Sequence, residues 1–291
     1  MSKQAATLVG FSAILMWAFL ALLSTATGPI PPFQLTAMAF TIGTFAIMVT
    51  WPFRPHAIKS LKQSWQVWLT GCVGLCVYHC LYFFAIQNAP PVEASLIAYL
   101  WPLLIVLFSA LLPGEKLKYY HIVGAVLGLA GAFLIITKGG EIGLANGVQM
   151  GHVAALACAF VWSGYSVLSR RYAAVPPDVV AGFCLVTAAV AGLIHLAFET
   201  TVIPASPLNW LALLLLGALP LGFGFFTWDI GVKRGDIQVL GAASYAAPLL
   251  STLVLLAAGY AELTVALVVA CLLITLGAVI AAKDMMFKKT T

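Results

Sequence analysis

The sequence YLWPLL at residues 99–104 lies inside a long apolar stretch, and a variant of it, YAAPLL, returns at residues 245–250. Both copies have a tyrosine, a proline three residues later and two leucines after that, at a spacing of 146 residues. Further matches at nearly this spacing are Trp17 with Trp162, Gly131 with Gly277 and Glu115 with Glu262. The chain therefore predicts an internal duplication, with one repeat in residues 1–145 and the other in 146–291.

The composition predicts that the chain lies in a membrane. Hydrophobic residues make up 63% of the sequence and charged residues 8%, and the mean hydropathy is +1.05. A soluble domain has about a quarter of its residues charged. Apolar stretches of about 20 residues, the length of a membrane-spanning helix, occur ten times. They lie roughly at residues 5–26, 33–52, 65–87, 91–112, 119–137, 148–169, 178–197, 208–230, 238–259 and 264–282.

Two other interpretations of these stretches are weaker. A membrane β-barrel needs segments of alternating polarity, whereas these stretches are apolar on every face, so we expect an all-α polytopic membrane protein. The first stretch could also be a cleaved signal peptide, because Lys3 precedes it and small residues follow it at 24–26. Cleavage would remove the helix that carries Trp17 and break the repeat, so we predict a retained span.

The basic residues predict the orientation of the chain. With ten spans, all but one of the 14 lysines and arginines lie on one face, including Lys288 and Lys289 near the C-terminus, and only Lys138 lies on the other. The positive-inside rule then places both termini in the cytoplasm. Basic loops beside anionic lipid also explain the net charge of +5 without nucleic acid.

The odd number of predicted spans in each repeat makes the duplication an inverted one. Each repeat has five predicted spans, so the two repeats enter the membrane from opposite sides. Inverted-topology repeats are typical of transporters, in which the substrate binds near the mid-plane and the two halves rock around it.

These features together resemble the drug/metabolite transporter superfamily, and within it the EamA type. The resemblance rests on the ten-span layout, the tyrosine-to-proline element that precedes an acidic residue in spans four and nine, and the glycine-rich closing helices at 124–138 and 272–282. It implies a basket of ten helices with spans three, four, eight and nine around a central cavity. The aromatic lining described below most resembles bacterial inner-membrane exporters of aromatic and other amino acids, which implies the inner membrane as location.

Aromatic and neutral polar residues near the middle of the spans are the candidate substrate site. A mid-depth tryptophan needs a partner for its indole N–H or a cavity, and an intramembrane histidine usually faces a cavity or a partner. Packing alone remains the other explanation for each. The candidates are Trp17, Tyr78, His79, Tyr82, Tyr99, Trp101, Trp162, Tyr165, Ser244 and Tyr245.

Three prolines are candidate hinges. Pro102, Pro220 and Pro248 lie near mid-depth, and each leaves the carbonyl four residues earlier without its helical partner. Interrupted helices are a strong sequence indicator of a transporter site, although a proline kink can also serve packing only.

The absence of acidic residues near the span centres indicates the class of ligand. No Asp or Glu lies near the centre of a predicted span, and Asp229 lies about ten residues from the centre, where we expect a surface or gate ion pair with Lys233. A neutral aromatic lining suits an aromatic amino acid, with its ammonium over a ring face and its carboxylate on hydroxyl groups or His79.

Cofactors and metals are not expected. Cys72, Cys76 and Cys80 recur along one helix over about 12 Å, so with His79 they cannot converge on one zinc ion. No nucleotide-binding motif is present in the sequence, so we expect no direct use of ATP.

The predicted function is a carrier that exports aromatic or other hydrophobic amino acids and related metabolites by alternating access, with other drugs or metabolites as the alternative. An intramembrane enzyme would depend on His79 beside Ser244, and a non-transporting receptor would not need three opened helices. The expected partners are a small-molecule substrate and the lipid bilayer, and the chain is expected to act as a monomer.

Overall fold

A computed structural model describes residues 1–137, 148–259 and 263–283. Lys138, Glu262, Lys288 and Lys289, which entered the repeat and charge arguments above, lie outside the described residues. Within the described ranges the secondary structure is entirely helical. This confirms the all-α class.

The helical segments follow the predicted spans. They are α1 (Lys3–Trp17), α2 (Leu20–Ala26), α3 (Pro32–Met48), α4 (Trp65–Cys72), α5 (Tyr78–Gln87), α6 (Pro91–Ala98), α7 (Trp101–Ser109), α8 (Tyr119–Ile136), α9 (Met150–Ser169), α10 (Val180–Phe198), α11 (Pro207–Leu216), α12 (Gly224–Arg234), α13 (Ile237–Ala243), α14 (Ala246–Ala257) and α15 (Val265–Ala281). Short 3₁₀ turns lie at Trp51–Phe53, Pro55–Leu61, Arg170–Tyr172 and Pro177–Val179.

Eight apolar helical stretches in the described residues are long enough to cross a membrane. They are Lys3–Ala26, Pro32–Phe53, Trp65–Gln87, Tyr119–Ile136, Met150–Tyr172, Pro177–Phe198, Pro207–Arg234 and Ile237–Ala257. Two shorter apolar helices, Glu93–Ser109 and Val265–Ala281, occupy the positions of the fourth and tenth predicted spans. All ten predicted stretches are therefore helical, and eight of them reach full spanning length.

A turn at Ala18 and Phe19 interrupts span one, and four further stretches are interrupted near their middle, in two matching pairs. A turn at Tyr99 and Leu100 separates α6 from α7, and a turn at Ser244 and Tyr245 separates α13 from α14. A π-helical segment, Val73–Val77, joins α4 to α5, and a second, Gly217–Phe223, joins α11 to α12. In both pairs the two interruptions lie about 146 residues apart.

The prolines lie at the edges of the interruptions. Pro102 is the second residue of α7 and Pro248 the third residue of α14, both in a first helical turn where no amide hydrogen is needed. Pro220 lies inside the second π-helical segment. The π-helical segment at Val73–Val77 has no proline, and the sequence analysis did not predict it.

The helices pair across the two halves of the chain. The strongest packing joins α8 to α15, α3 to α10, α1 to α12, α3 to the π-helical segment Gly217–Phe223, and α5 to α9. Glycines allow the closest approach: a Cβ atom on Gly124 of α8 would lie 2.5 Å from the carbonyl oxygen of Gly277 in α15. Small residues at such crossings are typical of membrane helix packing.

Ion pairs mark one end of the bundle, which we call the basic end. They join Lys3 to Asp236, Arg54 to Asp178, Arg170 to Glu115 and Lys233 to Asp229. At the other end, which we call the opposite end, Glu93 lies 2.8 Å from His152, and Glu199 lies 3.0 Å from His195. Apart from the i,i+4 pairs Lys233–Asp229 and His195–Glu199, these contacts join segments that are distant in sequence.

Candidate substrate site

A cluster of aromatic rings fills the centre of the bundle. The ring centroid of Trp17 lies 6.4 Å from that of Trp101, 5.9 Å from that of Trp162 and 5.2 Å from that of Trp228. Phe225 also contacts Trp17, at 5.9 Å. The structure therefore brings the three predicted tryptophans into direct contact, and edge-to-face pairs of this kind are a favoured aromatic geometry.

Trp17 is bound to one of the interrupted helices. Its indole nitrogen donates a hydrogen bond of 3.1 Å to the carbonyl oxygen of Pro220, inside the second π-helical segment. The mid-depth indole thus has the partner that its position requires, and the π-helical carbonyl has a donor. The packing of span one and the shape of span eight are coupled at this bond.

His79 follows the first π-helical segment, and its position defines which ring nitrogen carries hydrogen. Its Nδ1 atom lies 2.7 Å from the carbonyl oxygen of Leu75. A carbonyl only accepts, so Nδ1 is the donor, and Nε2 of the neutral ring is left as an acceptor. Nε2 makes no hydrogen bond to the described residues. The ring packs edge-on against Phe40 at 4.9 Å and against Tyr78 at 5.2 Å.

The predicted tyrosines of spans three and four form a group beside the tryptophans. The rings of Tyr78 and Tyr82 stack with centroids 6.1 Å apart, and Tyr78 lies 5.4 Å from Trp162. Tyr99, from the neighbouring span, lies within electrostatic range of both tyrosine hydroxyls. These three side chains are only half-buried.

The aromatic side chains of the site are more exposed toward the opposite end of the bundle than toward the basic end. Half-buried Tyr78, His79, Tyr82 and Tyr99 lie at mid-depth or toward the opposite end, whereas Tyr165 and Trp228 lie toward the basic end and are 4% and 0% exposed. The aromatic side chains are thus partly accessible on one side of the tryptophan cluster and sealed on the other.

Ser244 and Tyr245 have different surroundings from the other predicted residues. The Ser244 hydroxyl donates to the Leu240 carbonyl in its own helix, and the residue is fully buried. The Tyr245 hydroxyl accepts a hydrogen bond of 3.2 Å from the amide of Leu103, and its ring packs against Gly128. The amide of Leu103 is in the first turn of α7 and has no partner within that helix, so Tyr245 caps the interruption in span four.

The sequence analysis missed three members of the cluster. Trp228 and Phe225 lie on α12, one helical turn apart, and Phe40 on α3 stacks against Phe225 at 5.7 Å. Trp228 donates a hydrogen bond to Ser166. The available sequence signal was the spacing of three residues between two aromatic side chains in span eight.

Asp229 is not a surface residue. It forms the expected ion pair with Lys233, at 2.7 Å, but it is 1% exposed and Lys233 is 7% exposed, so the surface alternative was wrong and the gate alternative stays a prediction. Spans three, six and seven cover this part of α12 and exclude water from it. The pair is therefore a buried one at the basic end.

The structure does not bring together the groups that other chemistries need. Ser244 and His79 each bond to a carbonyl of their own helix, so they do not form a nucleophile and base. In the part of the chain that the structure describes, no group of three metal-ligating side chains is suited to hold a metal ion.

Comparison with known proteins places the chain in a family. The model of the EamA-like transporter family matches residues 4–137 and again residues 149–282. The chain belongs to the EamA-like transporter family. It is accordingly a membrane transporter and not an enzyme, as the sequence predicted.

Its relatives include named exporters. The chain is 52% identical over 282 residues to the aromatic amino acid exporter YddG of Ancylobacter novellus, a match that covers 97% of this chain and 98% of that one. It is 27% identical to the aromatic amino acid exporter YddG of Salmonella typhimurium, covering 87% and 88% of the two chains. A crystal structure at 51% identity superimposes with a TM-score of 0.91 and covers 97% of this chain and 99% of the other.

Proposed function

We propose that this transporter exports aromatic amino acids by alternating access, through a site formed by the tryptophan cluster and the tyrosines and histidine beside it. The observation that carries the proposal is the half-buried group of Tyr78, His79, Tyr82 and Tyr99 on one side of a closed tryptophan cluster. The aromatic amino acid exporters among its relatives match it over nearly the whole chain.

The site matches an amino acid with an aromatic side chain. Ring faces of Tyr78, Trp101 and Trp162 offer stacking surface and a place for an ammonium group over a ring. The free Nε2 of neutral His79 is an acceptor, so it suits the substrate ammonium rather than the carboxylate. The tyrosine hydroxyls can then donate to the carboxylate.

The proposed architecture is ten spans in two inverted five-helix repeats, residues 1–145 and 146–291. The family model matches each half once, and the interruptions of spans three and four return in spans eight and nine at the same spacing. In addition, α1 of span one packs against α12 of span eight, and α9 of span six packs against α5 of span three. These two contacts are equivalent, because spans one and three of the first repeat correspond to spans six and eight of the second. An in-plane two-fold axis relating the halves accounts for both facts.

The proposed hinges are the four paired interruptions in spans three, four, eight and nine. The mid-span turns and π-helical segments replace regular i to i−4 bonds, so these points bend at lower cost than continuous helix. Pro102, Pro220 and Pro248 keep regular helix from re-forming there.

The proposed orientation places both termini and the basic end in the cytoplasm of a bacterial cell, in the inner membrane. In that orientation the half-buried tyrosines face the outside and the sealed side faces the cytoplasm. The structure then corresponds to an outward-facing state, which has released substrate or awaits the return step.

Exchange in proteoliposomes tests the proposal. Liposomes containing the purified protein and unlabelled tryptophan should take up labelled tryptophan, and external phenylalanine or tyrosine should compete whereas alanine should not. Absence of aromatic amino acid exchange by folded protein would refute the substrate assignment.

A pair of tryptophan variants tests the site. Trp101→Ala removes one ring of the cluster and should raise the half-saturating substrate concentration at least about tenfold, since aromatic anchors contribute on the order of 2 kcal/mol or more. Trp65→Ala is the matched control, because Trp65 is exposed at the end of its span. Equal affinities of the two variants would exclude the cluster as the site.

A further inference from the structure

A small recess lies at the basic end, on the sealed side of the tryptophan cluster. It is bordered by spans three, six, seven and eight. The side chains that can take part in hydrogen bonds or ion pairs in its lining are Thr70, Tyr165, Ser169, Tyr172, Asp229 and Lys233.

The ion pair in this recess is almost entirely removed from water. Lys233 Nζ lies 2.7 Å from Asp229 Oδ2 and donates a second contact, of 3.2 Å, to the carbonyl oxygen of Val175. Burying two opposite charges costs several kcal/mol per ion, and an apolar pair of the same size is often at least as stable. Stability alone therefore does not account for a buried Asp–Lys pair in an apolar membrane protein.

A hydroxyl group bordering the recess lacks a hydrogen-bond partner among the described residues. The Tyr165 hydroxyl is buried and makes no hydrogen bond to the described residues. Asp229 Oδ2, by contrast, has the Lys233 ammonium as its donor, at 2.7 Å. Buried polar atoms in native proteins are nearly always bonded, so an unbonded hydroxyl in the same recess as a buried carboxylate indicates a place where a proton or water is exchanged.

We propose that Asp229 is a proton-binding residue and that the recess around it is the proton site of this transporter. The inference rests on the proposed export function. The proton comes from the aqueous phase: the Asp229 carboxylate becomes a carboxylic acid, and its new O–H is a donor in the same recess as the unbonded Tyr165 hydroxyl. The charged and titratable groups that act on Asp229 are Lys233 and Arg234 on its own helix and Tyr165 on α9, and Tyr172 from the following turn also borders the recess.

Protonation has a structural consequence at the basic end. Lys233 links α12 to Val175, which lies in the connection between spans six and seven. When Asp229 is neutral, the buried Lys233 ammonium has no counter-charge, which is strongly unfavourable unless water reaches it. Proton binding therefore favours opening of the basic end.

The recess is also next to the substrate site. Tyr165 borders it and at the same time packs against Trp162, with ring centroids 5.3 Å apart. The contact between Tyr165 and Trp162 therefore links proton binding at Asp229 to the substrate site. Proton entry, opening of the basic end and substrate loading then follow one another, so a proton moves inward for each substrate exported.

The test is substrate accumulation driven by a pH gradient in proteoliposomes, with the membrane voltage clamped by potassium and valinomycin. One proton exchanged for each substrate predicts an approximately tenfold substrate concentration ratio per pH unit in the wild type. Asp229→Asn, which mimics the protonated acid, should reduce that ratio to about one and make exchange insensitive to pH.

Asp236→Asn is the matched control. Asp236 pairs with Lys3 at the same end but is more exposed, and asparagine retains its role as the N-cap of α13. This variant should keep the tenfold ratio. A gradient-driven ratio in Asp229→Asn equal to that of the wild type, or a wild type that does not respond to the gradient, would overturn the inference.

Two further measurements keep the test decisive. If Asp229→Asn does not fold, Asp229→Glu should retain gradient-driven accumulation with a displaced pH profile, and its failure to respond counts against the proposal. Detergent-solubilised wild type in weak buffer should release protons on addition of tryptophan, and no release also counts against it. Exchange at equal pH tests the proposed export function separately, because it requires no proton coupling.

Discussion

Replacing Tyr245 by phenylalanine should destabilise the protein, whereas the same change at Tyr99 should not. The two tyrosines are equivalent in the repeat, but the Tyr245 hydroxyl accepts the hydrogen bond from the Leu103 amide and is fully buried. Tyr99 is half-buried, and its hydroxyl makes no hydrogen bond to the described residues.

The size of the effect follows from the amide that loses its partner. Tyr245→Phe keeps the ring that packs on Gly128 and removes only the oxygen, so no large cavity forms. Leaving a buried donor unpaired costs about 1–3 kcal/mol of the free energy of unfolding. At roughly 2–4 °C per kcal/mol, the midpoint of thermal unfolding should fall by several degrees.

Thermal unfolding of the two purified variants in the same detergent, followed by fluorescence, measures this difference. Tyr99→Phe should unfold at the wild-type temperature and instead weaken tryptophan binding in a titration. An unchanged midpoint for Tyr245→Phe, or a larger loss of stability for Tyr99→Phe, would refute the assignment of Tyr245 as a cap and Tyr99 as a lining residue.

Three other changes have defined outcomes. Gly124→Ala should lower the free energy of unfolding by about 1–3 kcal/mol, because the added Cβ would lie 2.5 Å from the Gly277 carbonyl oxygen. The control is Gly164→Ala, whose Cβ would meet nothing within 4 Å and which should be neutral or stabilising in the same unfolding assay. His79→Phe keeps the ring contact with Phe40 but removes both ring nitrogens. The rate of substrate exchange should therefore fall at least about tenfold, with a smaller change in stability. An unchanged exchange rate would exclude His79 from the site. A cysteine at Lys59 should resist a membrane-impermeant thiol reagent in intact cells because basic loops face the cytoplasm, and rapid labelling there would reverse the orientation.

The sequence by itself determined that the chain lies in a lipid bilayer, that it is all-helical and which family it belongs to. Long apolar stretches with few charges suit only helices in a bilayer, and such a pattern is local, so it can be counted along the chain. The interruptions in spans four, eight and nine were also predictable, because proline removes an amide hydrogen wherever it lies. The π-helical segment at Val73–Val77 contains no proline and could have been inferred only from its equivalence to span eight.

The tertiary structure alone decided what each equivalent residue does. Tyr99 and Tyr245 occupy the same place in their repeats, yet one is half-buried beside Tyr78 and the other caps a helix, because different helices pack against them. The burial of Asp229 was likewise not predictable: distance along its own span suggested the headgroups, but spans three, six and seven close over it. A side chain's exposure and partners depend on neighbouring helices that are far away in sequence, and a pattern along one helix contains no information about them.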